Sequence, residues 1–265
     1  MRSDWSQEAL PGGTRLWVSP RHSFGADAFF LADFARPRPG DLACDLGAGC
    51  GILAALLLER PDPPRRVVAL ELRGEAVEQM ERTVADHHWE GRLIPLQGDL
   101  RDRSANGKDL PVGGFDLVVC NPPYFPAGAG EESLSLSRRT ARHEGAESCT
   151  LAEACAAAAR LLRNGGRAAF CHRPQRLCDL LEELRTAGLE PKRLRLVQQR
   201  ADAAPWLALV EAKREARPPW RWKRRCCWKG RTAAPRRRSG ASMGGDDPRN
   251  GRRGQAAGTG GPYGQ

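Results

Sequence analysis

From about residue 40 onward, short aliphatic runs alternate with stretches whose apolar residues recur every three or four positions. The short runs are Leu42–Leu46, Val67–Glu71, Leu93–Gln97, Phe115–Cys120, Arg167–His172, Leu194–Gln198 and Trp206–Ala212. Between them, Leu151, Ala154, Cys155, Ala158, Leu161 and Leu162 keep a helical period. Leu177, Leu180, Leu181 and Leu184 do the same behind Pro174, a residue suited to the first turn of a helix. Gly165-Gly166 and Gly188 are expected to stop these two helices. Such alternation predicts an α/β fold, an open sheet of mostly parallel strands with helices on both faces. The last two runs are joined by Gln199–Pro205, which is too short for a crossover helix, so they should pair as an antiparallel hairpin at one end of the sheet. Two stretches break the alternation: Tyr124–Ser148, read as a long functional or disordered loop, and residues 217–265.

Charge sharpens the second of these. The 265-residue chain carries 42 Lys+Arg against 32 Asp+Glu, a formal +10, which would ordinarily suggest an anionic partner. Thirteen of the basic residues but only Asp246 and Asp247 fall in 217–265, so residues 1–216 hold 29 basic and 30 acidic residues, a net −1. With ten glycines, five prolines and few aliphatic side chains, that tail should be disordered, and residues 1–216 should form the one folded domain. Trp220, Trp222 and Trp228 among the tail's basic residues would suit an RNA-binding arm, and the same composition would arise from an out-of-frame reading of GC-rich DNA.

The longest strongly apolar run, Ile52–Leu58, is far short of a bilayer span, and Met1-Arg2-Ser3-Asp4-Trp5 lacks a signal peptide's apolar stretch. Nine cysteines without a C-x-x-C pair argue against a zinc site and suit a reducing compartment, so the expectation is a cytoplasmic protein with no membrane and no metal.

Chemistry is concentrated where strands end. The first leads into Asp45-Leu46-Gly47-Ala48-Gly49-Cys50-Gly51 and then an apolar helix. Glycines permit a sharp turn on which a ligand can lie against the main chain, facing the helix N-terminus. The second strand ends in Glu71, whose carboxylate can accept from both hydroxyls of a ribose. The third is followed by Asp99, which could accept from an adenine amine. Directly after the fourth stands Asn121-Pro122-Pro123-Tyr124, followed by Phe125. Two prolines remove two amide donors, so the Asn121 side-chain oxygen and the Pro122 carbonyl can both accept from one planar amino group, with Tyr124 stacking on it. Catalysis of this kind rests on position and electrostatics.

These motifs resemble class I methyltransferases, in which S-adenosylmethionine is the cofactor. By position the resemblance implies cofactor roles for Asp45, Gly47, Gly49, Gly51, Glu71 and Asp99, with catalysis at Asn121, Pro122 and Tyr124. The seven runs above make a full seven-stranded sheet, and the resemblance implies that it is Rossmann-like. Asn-Pro-Pro-Tyr resembles the motif of enzymes acting on adenine N6 or on the glutamine amide of release factors. The glutamine enzymes carry a helical N-terminal domain, for which the roughly 40 residues before the first strand are too few.

Residues 15–215 are most similar to the bacterial methyltransferases that modify adenine 37 beside the anticodon of a valine tRNA. Ser23-Phe24-Gly25-Ala26-Asp27, Ala141-Arg142-His143-Glu144 and His172-Arg173-Pro174 carry that likeness, with Ser23 where an arginine is usual. It implies a tRNA partner, and the protein is expected to be a monomer. Pro123, Phe125, Arg139, Arg142 and His143 are then the candidate substrate contacts, an aromatic and basic set suited to a flipped base in an anticodon loop. His172 reads as structural. Protein glutamine methylation and a non-catalytic RNA-binding role are the alternatives.

Overall fold

The computed structural model describes residues 4–104, 107–122 and 149–217, with the backbone of 221–222 and 226–227. An N-terminal antiparallel pair, β1 (Ser6–Ala9) and β2 (Arg15–Val18), stands apart from the main sheet. Then follow α1 (Ala26–Ala35), β3 (Leu42–Leu46), α2 (Ile52–Leu58), β4 (Arg66–Glu71), α3 (Gly74–His87), β5 (Leu93–Gln97) and β6 (Phe115–Cys120). The C-terminal part comprises α4 (Leu151–Leu161), β7 (Leu162–His172), α5 (Leu177–Thr186), β8 (Leu189–Gln198) and β9 (Leu207–Arg214). Pro174 opens a single 3-10 turn, Pro174–Arg176, that leads into α5.

The central strands are apolar along their whole length because both faces of the sheet are covered. Ala43, Val67, Ala69, Leu117 and Val119 point into one cluster with Leu31, Leu53 and Met80 of α1, α2 and α3. Their neighbours Cys44, Val68, Leu70, Val118 and Cys120 enter the other, against Ala154, Leu161, Leu180 and Leu184 of α4 and α5.

Strand order is β8-β9-β7-β6-β3-β4-β5. β3 to β7 run parallel, and β9 is antiparallel to both β7 and β8. The predicted terminal hairpin is therefore present, with its second strand on the inside. The order of connections reverses between β3 and β6, the place where open α/β sheets leave a crevice at the strands' carboxyl ends.

A buried ionic cluster fixes α1 beside that crevice. The carbonyls of Phe34 and Ala35, which have no acceptor role left inside the helix, receive Arg193 at 2.6 Å and Arg167 at 3.0 Å. Arg193 also meets Glu211 at 2.7 Å and Arg167 meets Asp41 at 3.0 Å. The C-terminal end of α1 is thus tied to β7, β8 and β9.

Two sequence expectations change. Gly165-Gly166 do not stop α4, which ends at Leu161, with Leu162 already extended. They lie inside β7 where its pairing with β6 shifts register between Phe115 and Leu117. Gly165 has φ 75°, and a Cβ on Gly166 would come within 2.9 Å of the Arg163 carbonyl, so both glycines serve a strand irregularity. Gly188, at φ 79°, does follow α5 as a stop. Within the tail expected to be disordered, Arg221–Trp222 (β10) and Cys226–Cys227 (β11) bridge in parallel onto β8. Among the described residues no helix is long and apolar enough to cross a membrane.

Candidate active site

The turn after β3 has Gly47, Gly49 and Gly51 at φ 70°, 56° and 83°, a left-handed conformation that disfavours other residues. A Cβ at Gly47 or Gly49 would meet nothing within 4 Å, so the turn borders open space. Gly47 and Ala48 donate to the Leu70 carbonyl at 2.9 and 3.1 Å. Glu71 accepts from the Gly49 amide at 2.9 Å and from the Arg73 amide at 3.1 Å, which locks the carboxylate at the end of β4.

Gly51 differs from the other two. A Cβ there would sit 2.8 Å from Cγ of the fully buried Met80. Left-handed strain of about 1–2 kcal/mol and overpacking of about 1–3 kcal/mol act together. Gly51→Ala is expected to lower the thermal midpoint by several degrees, and an unchanged melting curve would refute that packing.

Asp45 is wholly buried and receives the Ala54 amide at 3.2 Å. That amide lies in the first turn of α2, where no intrahelical acceptor exists, and Gly51 at the cap has no side chain to serve it. The other oxygen, Oδ1, is buried with no hydrogen-bond partner. Burial pushes the carboxyl up to about 7, aided by the Glu71 charge and opposed by the Ala54 amide.

Asp99 lies beyond β5 on the wall of a cavity of ≈ 340 Å³ that Leu70, Leu96 and Leu110 also line. Arg101 grips it bidentately, at 2.9 Å to Oδ1 and 2.7 Å to Oδ2, and holds its carboxyl below the usual range. A carboxylate retains acceptor sites beside such a pair.

Asn121 follows β6 and lines a second cleft, of ≈ 470 Å³, together with Gly47, Ala48, Gly49 and Cys50. The structure therefore unites Asn121 with the glycine turn, while Asp99 borders the neighbouring cavity on the far side of β4. Cys171 of β7, fully buried, donates its thiol to Asn121 Oδ1 at 3.0 Å. Pro122 is buried next to it. His172 is also buried; its Nδ1 accepts the Arg173 amide at 2.9 Å, and burial lowers its pKa to about 4, in keeping with a structural role. Pro123, Tyr124, Phe125, Arg139, Arg142 and His143 lie outside the described residues.

Of the other residues on this wall, Arg21, Gln199 and Trp206 were given no role by sequence reasoning, and Asp27 and Arg173 entered only as parts of the segments that carry the family likeness. Arg173 and Gln199 directly follow β7 and β8, so the rule that ligands gather at carboxyl ends could have found them. Among the described residues no group of His, Cys, Asp or Glu is arranged to hold a metal.

Residues 25–183 match the family model described as the methyltransferase small domain. The chain belongs to this family. It is a methyltransferase in family and fold, as the resemblance of its motifs led one to expect. The protein of Tolumonas auensis named tRNA1(Val) (adenine(37)-N6)-methyltransferase is 30% identical over 195 residues, 72% of this chain and 77% of its own length. The one so named in Aeromonas salmonicida is 33% identical over 132 residues, 49% of this chain and 52% of its own. This agrees with the likeness read from residues 15–215. Solved structures share the fold at lower identity: a predicted O-methyltransferase of Agrobacterium tumefaciens (TM-score 0.57, 20% identical, covering 76% of this chain and 86% of that one) and the tRNA m1G37 methyltransferase of M. jannaschii (0.56, 14%, 82% and 59%).

Proposed function

We propose that this protein transfers a methyl group from S-adenosylmethionine to N6 of an adenine in tRNA, at position 37 beside the anticodon. The observation that carries this is Asn121 at the carboxyl end of β6, in one cleft with the glycine turn, in a chain whose relatives bear that name.

The residues present fit the cofactor. The partnerless Asp45 Oδ1 suits its ammonium group, Glu71 its ribose hydroxyls, and Asp99 with Leu70 and Leu96 its adenine. When bound, it supplies an electrophilic methyl on a sulfonium. Asn121 Oδ1 and the Pro122 carbonyl accept the two N–H bonds of the target amine, which draws electron density onto a nitrogen otherwise conjugated with its ring. The Cys171 thiol occupies one acceptor site of Oδ1 and orients the amide, leaving the other for the amine. No strong base is needed before attack. Tyr124 supplies the stacking surface, while Pro123, Phe125, Arg139, Arg142 and His143 meet the anticodon loop. The enzyme works in the cytoplasm as a monomer.

Nucleoside mass analysis of tRNA from a strain lacking the modification, after incubation with labelled cofactor, tests this. N6-methyladenosine above an Asn121→Ala control supports it; methylation of a release factor instead overturns it.

The Asp45 assignment has a pH signature. A carboxyl held at about 7 must lose its proton to receive an ammonium, and the α-amino group itself deprotonates near pH ~8. Cofactor affinity should therefore rise with pH up to about 7 and fall again above about 8. Calorimetry in buffers of different ionisation heat would show the released proton. An acid limb that survives in Asp45→Asn would refute the assignment.

A further inference from the structure

The order of strands divides the crevice. Glu71 and Asp99 end β4 and β5 on one side of β3, whereas Asn121 ends β6 on the other. With the cofactor on the β3–β5 side, the position of Asn121 directs the acceptor to its own side of the cleft, toward β7–β9. That half of the cleft is walled by Arg173, Gln199 and Trp206, none of which the cofactor reading uses.

Trp206 stands immediately before β9, with its amide bonded to the Val197 carbonyl at 2.9 Å. Phe30 of α1 packs edge-on against its indole, with centroids 5.6 Å apart and planes at 75°. The half-buried ring is thus braced from α1 while it lines the cleft. Arg173 donates to the Trp206 main-chain carbonyl at 3.4 Å, and both residues line the same cleft. An aromatic plane next to a fixed cation matches a nucleotide, with its flat base and its anionic phosphate. A glutamine side chain has neither.

We propose that Trp206 and Arg173 form the seat of the acceptor nucleotide: the indole stacks on the target base, and the guanidinium pairs with its phosphate. The base amine then faces Asn121. This rests on the tRNA reading above and adds a second stacking surface and a phosphate contact to the substrate contacts named there.

The test uses the full-length protein and an unmodified valine tRNA transcript, with Trp206→Leu, Trp206→Phe and Arg173→Gln as variants. For each, KM for tRNA, kcat and the Kd for S-adenosylmethionine are measured over a range of salt. Loss of one stacked base should raise KM for tRNA about tenfold or more in Trp206→Leu, with cofactor Kd unchanged. Trp206→Phe should recover most of this. Arg173→Gln should raise KM and reduce the slope of its logarithm against log salt by about one, the signature of one lost phosphate contact. If Trp206→Leu also loses cofactor affinity, Trp206→Phe and the Arg173→Gln slope decide, and an unchanged slope overturns the proposal. An active wild type whose variants keep their KM for tRNA overturns this seat alone. A wild type that leaves tRNA free of N6-methyladenosine overturns the tRNA reading and the seat with it.

Discussion

Asn121→Ala is expected to lower kcat by on the order of 10²–10³, the loss typical of removing one preorganised polar group from a reacting centre. Cofactor affinity should stay within a few-fold, because Asp45, Glu71 and the glycine turn keep their own partners. The protein should still fold, since among the described residues the hydrogen bond that the substitution removes comes from the Cys171 thiol, a weak donor. Single-turnover methylation with saturating cofactor isolates the chemical step. A kcat within threefold of wild type would show that the Pro122 carbonyl and position suffice, and that Asn121 is not catalytic.

Glu71→Ala should act on the other half of the reaction. The carboxylate accepts two backbone amides, at 2.9 and 3.1 Å, that set the path of the chain around the ribose position. Hydrogen bonds to a charged acceptor contribute roughly 1.5–3 kcal/mol each. Removing the carboxylate strands both amides and takes away the ribose partner, so the cofactor Kd should rise by on the order of 10²-fold or more. Glu71→Gln keeps the shape but turns an N–H donor toward one of two donors, and should fall between. Calorimetry measures both, and a Kd within threefold of wild type in Glu71→Ala would remove Glu71 from the cofactor site.

Most of the sheet was legible because its strands are buried on two faces and are therefore apolar throughout. Leu42–Leu46, Leu93–Gln97 and Phe115–Cys120 have the limits their composition predicts. Legibility fails where burial is one-sided. Ser6–Ala9 is exposed along its whole length and carries no apolar signal. β7 begins five residues before Arg167, because Arg163, Asn164 and Gly165 read as a helix end while in fact they carry a bulged strand. In the site, Gly47, Gly49 and Glu71 were readable from their places at strand ends, and a direct hydrogen bond joins the Gly49 amide to Glu71. Trp206 was not, because an apolar residue opening a strand gives no local sign of lining a cleft. What makes it a cleft residue is the distant packing of Phe30, and no local pattern encodes that.

The four residues of the tail that bridge onto β8 bear on how this chain behaves at high concentration. An open rim of a sheet is a template for strands of other molecules. Here one rim is β8, overlaid by Arg221–Trp222 and Cys226–Cys227 and interrupted by Pro191 next to a register shift. The opposite rim is β5, whose central residue is Pro95, which lacks an amide to donate. Each rim thus carries its own obstacle to edge-to-edge aggregation, and on β8 the basic tail, whatever else it does, supplies part of it.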